Sequence, residues 1–201
     1  MRVAIDVSPL RQSRAGTARY VRALLTHAQV DYAPLTWGAD GRAAAAARDL
    51  LWYPWLLPMK ATASDVLHCP TFRAPARSRV PTVVTVHDLA VLRHPETFNR
   101  WTRTYSRVAV PRVAGAAARV IAVSQFTRRE IVELLRVPES RVQVVPNGLG
   151  EIFRPEGAAA AGDYVLAVGT LEPRKNLARA AAAAQRLGLE LRVAGGRGWA
   201  T

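Results

Sequence analysis

The chain has 201 residues, of which 50% are hydrophobic and 21% are charged, a composition typical of a folded globular protein and not of a disordered chain. Its 28 basic and 15 acidic residues give a net charge of +13, which favours anionic ligands or surfaces as partners. The single cysteine, Cys69, excludes an internal disulfide, Asp6 interrupts the N-terminus before a signal-peptide core, and no apolar run approaches the ~18–20 residues of a membrane span, so the predicted compartment is the cytoplasm.

The positive charge does not predict a specific nucleic-acid partner. Arginines are scattered through every segment instead of forming one stripe, and the sequence contains no zinc-ligand spacing, no RNP-like aromatic pattern and no helix-turn-helix signal. A basic surface is also typical of proteins that bind nucleotide sugars or anionic lipids. One hypothesis is therefore a basic non-catalytic module that binds polyanions or an anionic membrane surface.

Short apolar runs alternate with helical periodicity along the first 149 residues, which predicts a doubly wound, Rossmann-like parallel sheet with helices on both faces. The predicted strands are 2–7, 31–36, 65–68, 82–87, 119–123 and 141–145. The predicted helices are 16–27, 42–57, 98–116 and a helix that opens at Ser124. Pro111 is expected to kink or shorten the third of these, and the Pro-Asn-Gly sequence at 146–148 predicts a turn.

A second, smaller unit follows a change in composition. Residues 150–162 contain proline, glycine and a run of alanines and are predicted to be a linker. Beyond them, the pattern predicts a strand at 164–170 that is buried on both faces, a helix at 174–187 and a strand at 189–194. We therefore predict an N-terminal Rossmann-like domain at 1–149 and the beginning of a second one at 163–201.

The junction of that strand and helix carries a basic pair, Arg174 and Lys175, after a glycine at Gly169. Cations at a helix start oppose the helix dipole, at a cost of roughly 0.3–1 kcal/mol each. A strand, a glycine-containing turn and a helix start together form a common phosphate-binding arrangement, so one interpretation is a diphosphate site. The other is that Glu172 neutralises the pair and that both cations simply face solvent.

The carboxyl ends of parallel strands meet at one edge of a sheet, where open α/β sheets bind ligands. His87 and Asp88 follow a predicted strand and are candidate catalytic residues, whereas Gly16 and Thr17 begin the first long helix, where backbone N–H groups can meet phosphate. A lone histidine is more often a structural hydrogen-bonding residue. A plain loop with Gly16 supplying an unusual backbone angle is equally compatible with the first helix.

Three further residues are predicted at the same edge and are candidate cleft residues: Ser124, Asn147 and Gly148. Ser124 is also a typical N-cap, and Asn147-Gly148 a typical turn. No spacing of His, Cys, Asp and Glu predicts a metal site. The aromatic stretch at 50–57 is compatible with contact to a membrane or lipid acceptor, although core packing is the commoner explanation.

Taken in order, six segments resemble glycosyltransferase family 4, a group of GT-B enzymes, and especially its mannosyltransferase-like members. They are GTARYV at 16–21, DVLH at 65–68, VTVHDL at 84–89, VIAVS at 120–124, VVPNG at 144–148 and VGTLEPRKN at 168–176. The resemblance implies two Rossmann-like domains facing a cleft, with a nucleotide-diphosphate sugar as co-substrate held mainly by the C-terminal one. It also implies a glycan or lipid-linked acceptor, as in polysaccharide biosynthesis, and a cytoplasmic location with peripheral contact to the inner membrane face.

The resemblance further implies roles for individual residues. Arg174 and Lys175 would neutralise the donor diphosphate, Gly16 and its neighbours would approach the phosphates or the acceptor, and His87 would contact the transferred sugar. Family members retain the anomeric configuration and need no metal or other cofactor, because positive side chains replace the divalent cation.

The sequence departs from the family pattern in two places. Ala18 stands where many relatives have a second glycine, which would leave less room for close backbone approach. The family's paired glutamates, which contact the donor sugar and ribose, would lie beyond residue 201. We therefore expect the 201-residue chain to be a fragment with little or no transferase activity alone.

Overall fold

The computed structural model describes residues 1–12, 16–38, 41–150 and 163–196. The chain folds into two compact units, Met1–Gly148 and Leu149–Thr201. All but the first residue of the linker predicted at 150–162 lie outside the described residues, so the proposed domain limits of 1–149 and 163–201 remain a proposal.

The first unit is built on a parallel sheet. Its strands within the described residues are β1 Arg2–Asp6, β2 Asp31–Leu35, β3 Val66–Cys69, β4 Thr82–Val86, β5 Arg119–Ala122 and β6 Val142–Val144. All neighbouring pairs are parallel, in the order β2-β1-β3-β4-β5-β6. Because parallel neighbours need crossover connections, the helices between the strands must lie on the faces of the sheet.

The helical elements of this unit occupy those connections. They are α1 Pro9–Gln12, α2 Gly16–His27, α3 Arg42–Ala47, a π-helical segment Arg48–Leu56, α4 Leu57–Lys60, α5 Ala90–Arg93, α6 Arg100–Ala116 and α7 Gln125–Leu135. Short 3₁₀ turns lie at Ala61–Ala63, Pro95–Thr97 and Glu139–Arg141. Every predicted strand and helix of the first unit is present, and the ends differ by a few residues.

Alternation along the strands divides the unit into two layers of packing. One face of the sheet carries Ala4, Leu67, Val84, Val120 and Val142, which belong to a core cluster with residues of the π-helical segment, α6 and α7. The other face carries Thr85, and the Tyr20 hydroxyl of α2 lies 3.3 Å from its Oγ1. Helices therefore cover both faces, which confirms the predicted doubly wound, Rossmann-like sheet.

The helical stretch predicted at 42–57 has a geometry that the sequence did not indicate. Its central part is π-helical, and the N–H of Leu57 donates to the carbonyl of Trp52, five residues earlier. The wider turn spaces the buried positions four to five residues apart, so Asp49, Tyr53 and Leu57 all face the core. Pro54 lies on the exposed side of the same segment.

The long helix α6 is not shortened at Pro111, which excludes one of the two effects, a kink or a shortening, that the proline predicted. Asn99 caps its start by accepting from the Thr102 N–H at 2.9 Å, and the helix continues to Ala116. Val110 and Val113, on either side of the proline, are buried in the core. Their packing holds the last turns in place although one backbone hydrogen bond is missing.

Residues 145–150 form an irregular, exposed segment in place of the turn predicted at 146–148. The Pro-Asn-Gly sequence favours a turn locally, but all six residues are exposed, so burial of their side chains does not stabilise one.

The described part of the second unit contains two parallel strands, β7 Tyr164–Val168 and β8 Glu190–Ala194, and one helix longer than a single turn, α8 Leu177–Arg186. The prediction that its first strand is buried on both faces is wrong. Leu166 is 54% exposed and Val168 75% exposed, because the strand pairs with one neighbour and one helix cannot cover both faces of the sheet.

The helix predicted at 174–187 is also divided. Pro173–Lys175 form a 3₁₀ turn, Asn176 adopts a left-handed conformation with φ 52°, and α8 begins at Leu177. The basic pair therefore lies before α8 and not in its first turn, because Asn176 tolerates the left-handed backbone that breaks helical continuity.

Candidate functional site

His87 lies at the carboxyl edge of the first unit's sheet, directly after β4. Its Nε2 lies 3.0 Å from the carbonyl oxygen of Pro70, which follows β3. Its ring meets the ring of Tyr20 edge-on, with centroids 5.0 Å apart and an interplanar angle of 87°. The imidazole is therefore held between the end of a neighbouring strand and helix α2.

These contacts determine the protonation pattern of His87. A carbonyl oxygen only accepts hydrogen bonds, so Nε2 carries the hydrogen and Nδ1 is the acceptor of the neutral ring. Burial lowers the pKa of His87, and the Pro70 carbonyl and the charge of Asp88 only partly oppose that change. The ring is therefore neutral at neutral pH and offers one lone pair at Nδ1.

Behind His87 runs a chain of hydrogen bonds that sequence reasoning missed. His68 Nε2 lies 3.0 Å from Thr85 Oγ1, and Thr85 Oγ1 lies 3.3 Å from the Tyr20 hydroxyl. Burial lowers the pKa of His68 to about 4, so this histidine is neutral. Strand alternation in the sequence could have predicted this contact, because it places Thr85 on the same face as His87, which comes two residues later.

Asp88 and Ser124 both support local backbone structure at this edge. Asp88 is exposed, and its Oδ1 accepts from the Ala90 N–H at 3.0 Å, at the start of α5. Ser124 Oγ accepts from the Thr127 N–H at 3.1 Å and so caps α7. The Thr127 hydroxyl donates to the carbonyl oxygen of His87 at 3.3 Å, which ties the start of α7 to the candidate catalytic histidine.

The other candidates lie farther along the same edge. Gly16 and Thr17 begin α2, one turn before Tyr20, and a methyl group added at Gly16 would meet no atom within 4 Å. Ala18 is completely buried, so its methyl group fills space inside the protein. Asn147 and Gly148 follow β6, two strands from His87, a lateral offset of roughly 10 Å at the usual strand spacing.

The end of β1 is held by a buried carboxylate. Asp6 Oδ1 accepts from the Ser8 hydroxyl at 2.5 Å, and Oδ2 accepts from the Tyr53 hydroxyl at 3.2 Å. Ser8 Oγ also accepts from the Trp37 N–H at 2.9 Å. Burial raises the pKa of Asp6, although these hydrogen bonds oppose it. The network joins the loops after β1 and β2 to the π-helical segment.

In the second unit, two glycines bring the ends of β7 and β8 into close contact. A methyl group added at Gly195 would overlap the carbonyl oxygen of Gly169. The Gly169 N–H donates to Ala194 at 2.9 Å, and the Leu171 N–H donates to Gly196 at 3.1 Å. No side chain fits between the two backbones at this point.

Lys175 lies next to the contact between Gly169 and Gly195, here called the glycine edge. A Cβ added at Gly169 would lie 3.4 Å from Lys175 Cε and 3.9 Å from its Nζ. Gly169 has φ +151°, which favours glycine. The ammonium group therefore lies over bare backbone at the carboxyl end of β7. The side chain of Arg174 lies outside the described part of the structure.

Within the described ranges, no group of three or more His, Cys, Asp and Glu side chains is arranged to hold a metal ion. That no cofactor is needed stays a prediction. The chemistry available at the two edges consists of a neutral imidazole in the first unit and an ammonium group beside backbone glycines in the second.

Residues 26–150 match the family model described as Glycosyltransferase Family 4. The O-antigen chain mannosyltransferase B of Escherichia coli is 28% identical over 151 residues, which cover 67% of this chain and 39% of that relative. The chain thus spans about two fifths of the length of the curated relative it matches.

Two solved structures match the chain at low sequence identity. Arabidopsis thaliana UGT89C1 complexed with UDP-L-rhamnose is 12% identical, with a TM-score of 0.49 over 100% of this chain and 69% of that one. The lipopolysaccharide outer core galactosyltransferase WaaB is 14% identical, with a TM-score of 0.45 over 98% of this chain and 68% of that one. The family model covers more than half of the residues, and the chain belongs to glycosyltransferase family 4.

Proposed function

We propose that the protein is part of a retaining hexosyltransferase that moves a sugar, such as mannose, from a nucleotide-diphosphate sugar to a glycan or lipid-linked acceptor. Membership of family 4 supports the reaction class. The name of the Escherichia coli relative supports mannose and a polysaccharide acceptor. The family match also favours a transferase over a basic non-catalytic module.

The position of Lys175 over Gly169 is the observation that carries this proposal. Transfer of the sugar leaves a nucleoside diphosphate, so negative charge grows on the diphosphate as the glycosidic bond breaks. A nearby ammonium group stabilises such a leaving group more than it stabilises the intact donor. Arg174, adjacent in the sequence, supplies a second charge for the same group.

His87 is proposed to contact the transferred sugar. Because Nε2 donates to the Pro70 carbonyl, Nδ1 can accept a hydrogen bond from a sugar hydroxyl. The neutral ring adds no positive charge beside the sugar. Tyr20 fixes the ring from one side. The N–H groups at the start of α2, at Gly16 and Thr17, are proposed to meet the phosphates or the acceptor.

Binding of a nucleoside diphosphate to the Lys175→Ala variant tests the proposal. We expect the change to weaken the affinity for uridine or guanosine diphosphate by about tenfold or more, because a charge-assisted hydrogen bond is worth about 1.5–3 kcal/mol. Calorimetric titration of the variant and the parent chain at one fixed salt concentration gives the comparison.

Lys60→Ala is the matched control, since it removes the chain's other lysine from an exposed position in the first unit. We expect its affinity to equal that of the parent. Equal weakening in both variants would show general electrostatic attraction and would support the basic module instead. Unchanged affinity in Lys175→Ala would remove the basis of the proposed donor site.

A further inference from the structure

Arg73 lies in the loop that follows β3, at the carboxyl edge of the first unit's sheet. We propose that the end of this side chain binds an oxyanion, a phosphate or carboxylate group, that is attached to a sugar of the acceptor. The assignment to the acceptor rests on the proposed function, because the donor diphosphate is assigned there to the second unit.

A buried carboxylate holds Arg73 in place. The side chain of Asp49 is fully buried, and its Oδ1 lies 3.1 Å from Arg73 Nε. Its Oδ2 accepts from Trp101 Nε1 at 3.0 Å. In the loop itself, the Arg73 N–H donates to Thr71 Oγ1 at 3.0 Å. The side chain and the backbone of Arg73 are therefore both fixed before a ligand arrives, which reduces the entropy lost on binding.

Asp49 has a second cationic partner, so the cluster keeps a positive charge. Arg48 Nε and Nη2 each lie 3.3 Å from Asp49 Oδ1. Two guanidinium groups share one carboxylate, and no other acidic side chain of the described residues lies within ion-pair distance of either arginine. Buried charges are normally paired. The charge that is left over in this partly buried cluster favours an anionic ligand.

The two terminal nitrogens of Arg73 are available to such a ligand. Among the described residues, its guanidinium makes a hydrogen bond only through Nε. The side chain is 21% exposed, and neither terminal nitrogen is one of the buried polar atoms that lack a partner, so both reach solvent. An arginine that only neutralised Asp49 would bring two nitrogens to it, as Arg48 does. The free pair instead matches the two oxygens of a phosphate or carboxylate.

Aromatic rings border the guanidinium group. Its Cζ lies 5.4 Å from the ring centroid of Phe72 and 5.7 Å from that of Tyr105, within the range of cation–π attraction. The Trp101 ring stacks on Tyr105 with centroids 6.3 Å apart, and Trp101 is 43% exposed. An exposed aromatic ring can pack against the apolar C–H face of a sugar. This surface therefore suits a sugar that carries the anion better than a free ion.

The site lies on the same edge as His87. The carbonyl oxygen of Pro70 lies 3.0 Å from His87 Nε2. Arg73 follows Pro70 by three residues, which span at most about 11 Å of chain. A short oligosaccharide could therefore contact both Arg73 and the candidate catalytic histidine.

Chemical-shift mapping of the 201-residue chain tests the proposal with mannose 1-phosphate, glucuronate and mannose as probes. We expect the two charged sugars to shift the Arg73 Nε–H signal and the amide signals of Thr71 and Phe72, whereas neutral mannose should leave them unchanged. The charged sugar that binds more tightly identifies the anion as phosphate or carboxylate. Arg73→Gln should weaken this binding by about tenfold or more, because charge-assisted hydrogen bonds are lost.

Arg77→Gln is the matched control, because it removes the same charge from an exposed position four residues later. We expect it to bind like the parent. Arg73→Lys keeps the charge beside Asp49 but loses the planar pair of nitrogens. It should therefore unfold at the parent's temperature in circular dichroism and still bind the charged sugars more weakly, which separates binding from a folding defect.

Equal weakening in Arg73→Gln and Arg77→Gln would overturn the proposal. So would an unchanged Arg73 Nε–H signal at saturating mannose 1-phosphate, or parent-like binding by Arg73→Lys. Lys175→Ala should leave the shifts at Thr71 and Phe72 intact. The anion site of the first unit and the donor site of the second unit can therefore fail independently of each other.

Discussion

His68 and His87 lie on the same face of the sheet but have different surroundings. His87 is half-buried at the carboxyl edge, where its Nε2 donates to a backbone carbonyl and Nδ1 is left as an acceptor. His68 is enclosed behind it and bonds to Thr85. His87 therefore keeps the acceptor that its proposed contact with the sugar requires, whereas His68 bonds to Thr85, which in turn lies next to the Tyr20 hydroxyl.

The low pKa of His68 predicts a loss of stability in mild acid. The His68 imidazole binds a proton near pH 6.5 in the unfolded chain, whereas in the folded protein it does so only near pH 4. Between these values the unfolded state holds more protons, so stability falls as pH falls. The full loss from this group is roughly 3 kcal/mol, reached near its folded pKa.

Urea unfolding of His68→Gln and of the parent across that pH range measures the effect. The free energy of unfolding of His68→Gln should change less with pH than that of the parent. The difference between the two curves gives the contribution of His68 alone. Asp6, whose pKa is raised by burial, acts in the opposite direction and cancels in the comparison. His27→Gln, at an exposed histidine, should keep the parent slope. Parallel curves for His68→Gln and the parent would show that His68 is not the acid-sensitive group.

At the level of elements, hydrophobic periodicity predicted where strands and helices lie but not their detailed geometry. Residues 50–56 are all apolar or aromatic, so their pattern did not distinguish an α-helix from the π-helical geometry in which Trp52 and Tyr53 are buried. Likewise, nothing in the basic pair itself indicated that Asn176 would adopt φ 52° and separate it from α8. Ser124, in contrast, caps α7 as its residue type predicts.

The approach of β7 and β8 predicts that Gly195 is irreplaceable. Gly195→Ala places a methyl group against the Gly169 carbonyl oxygen, so the strand ends must separate, at a cost of about 1–3 kcal/mol or more. Hydrogen exchange at the Gly169 and Leu171 amides, which bond across this junction, should become faster. Unfolding of the second unit should begin at lower urea concentration.

Gly196→Ala is the control for this change. A methyl group there would meet no atom within 4 Å, and surface changes of this kind usually stay within about 0.5 kcal/mol. If Gly195→Ala were as stable as Gly196→Ala, with unchanged exchange at both amides, the close contact of the two strands would be contradicted.

At the scale of the whole molecule, alternation of apolar runs with helical stretches was sufficient to predict the parallel sheet of the first unit. Connections that cross from one parallel strand to the next require helices on the faces, so local patterns specify this architecture well. Burial in the second unit was predicted poorly, because β7 has the apolar sequence of an enclosed strand while Leu166 and Val168 are exposed in this chain. The apolar sequence of a strand shows that it can be buried on both faces, but it does not show which elements cover those faces.

We propose that the close approach of Gly169 and Gly195, with Lys175 beside it, binds the diphosphate of a sugar donor. Amide chemical-shift mapping of the 201-residue chain with uridine and guanosine diphosphate tests it most directly, because it reports the location of binding as well as its strength. We expect the largest shifts at Gly169, Thr170, Lys175 and Gly195, and we expect these shifts to disappear in Lys175→Ala. Shifts spread evenly over exposed arginines, or an unperturbed glycine edge at saturating nucleotide, would contradict it.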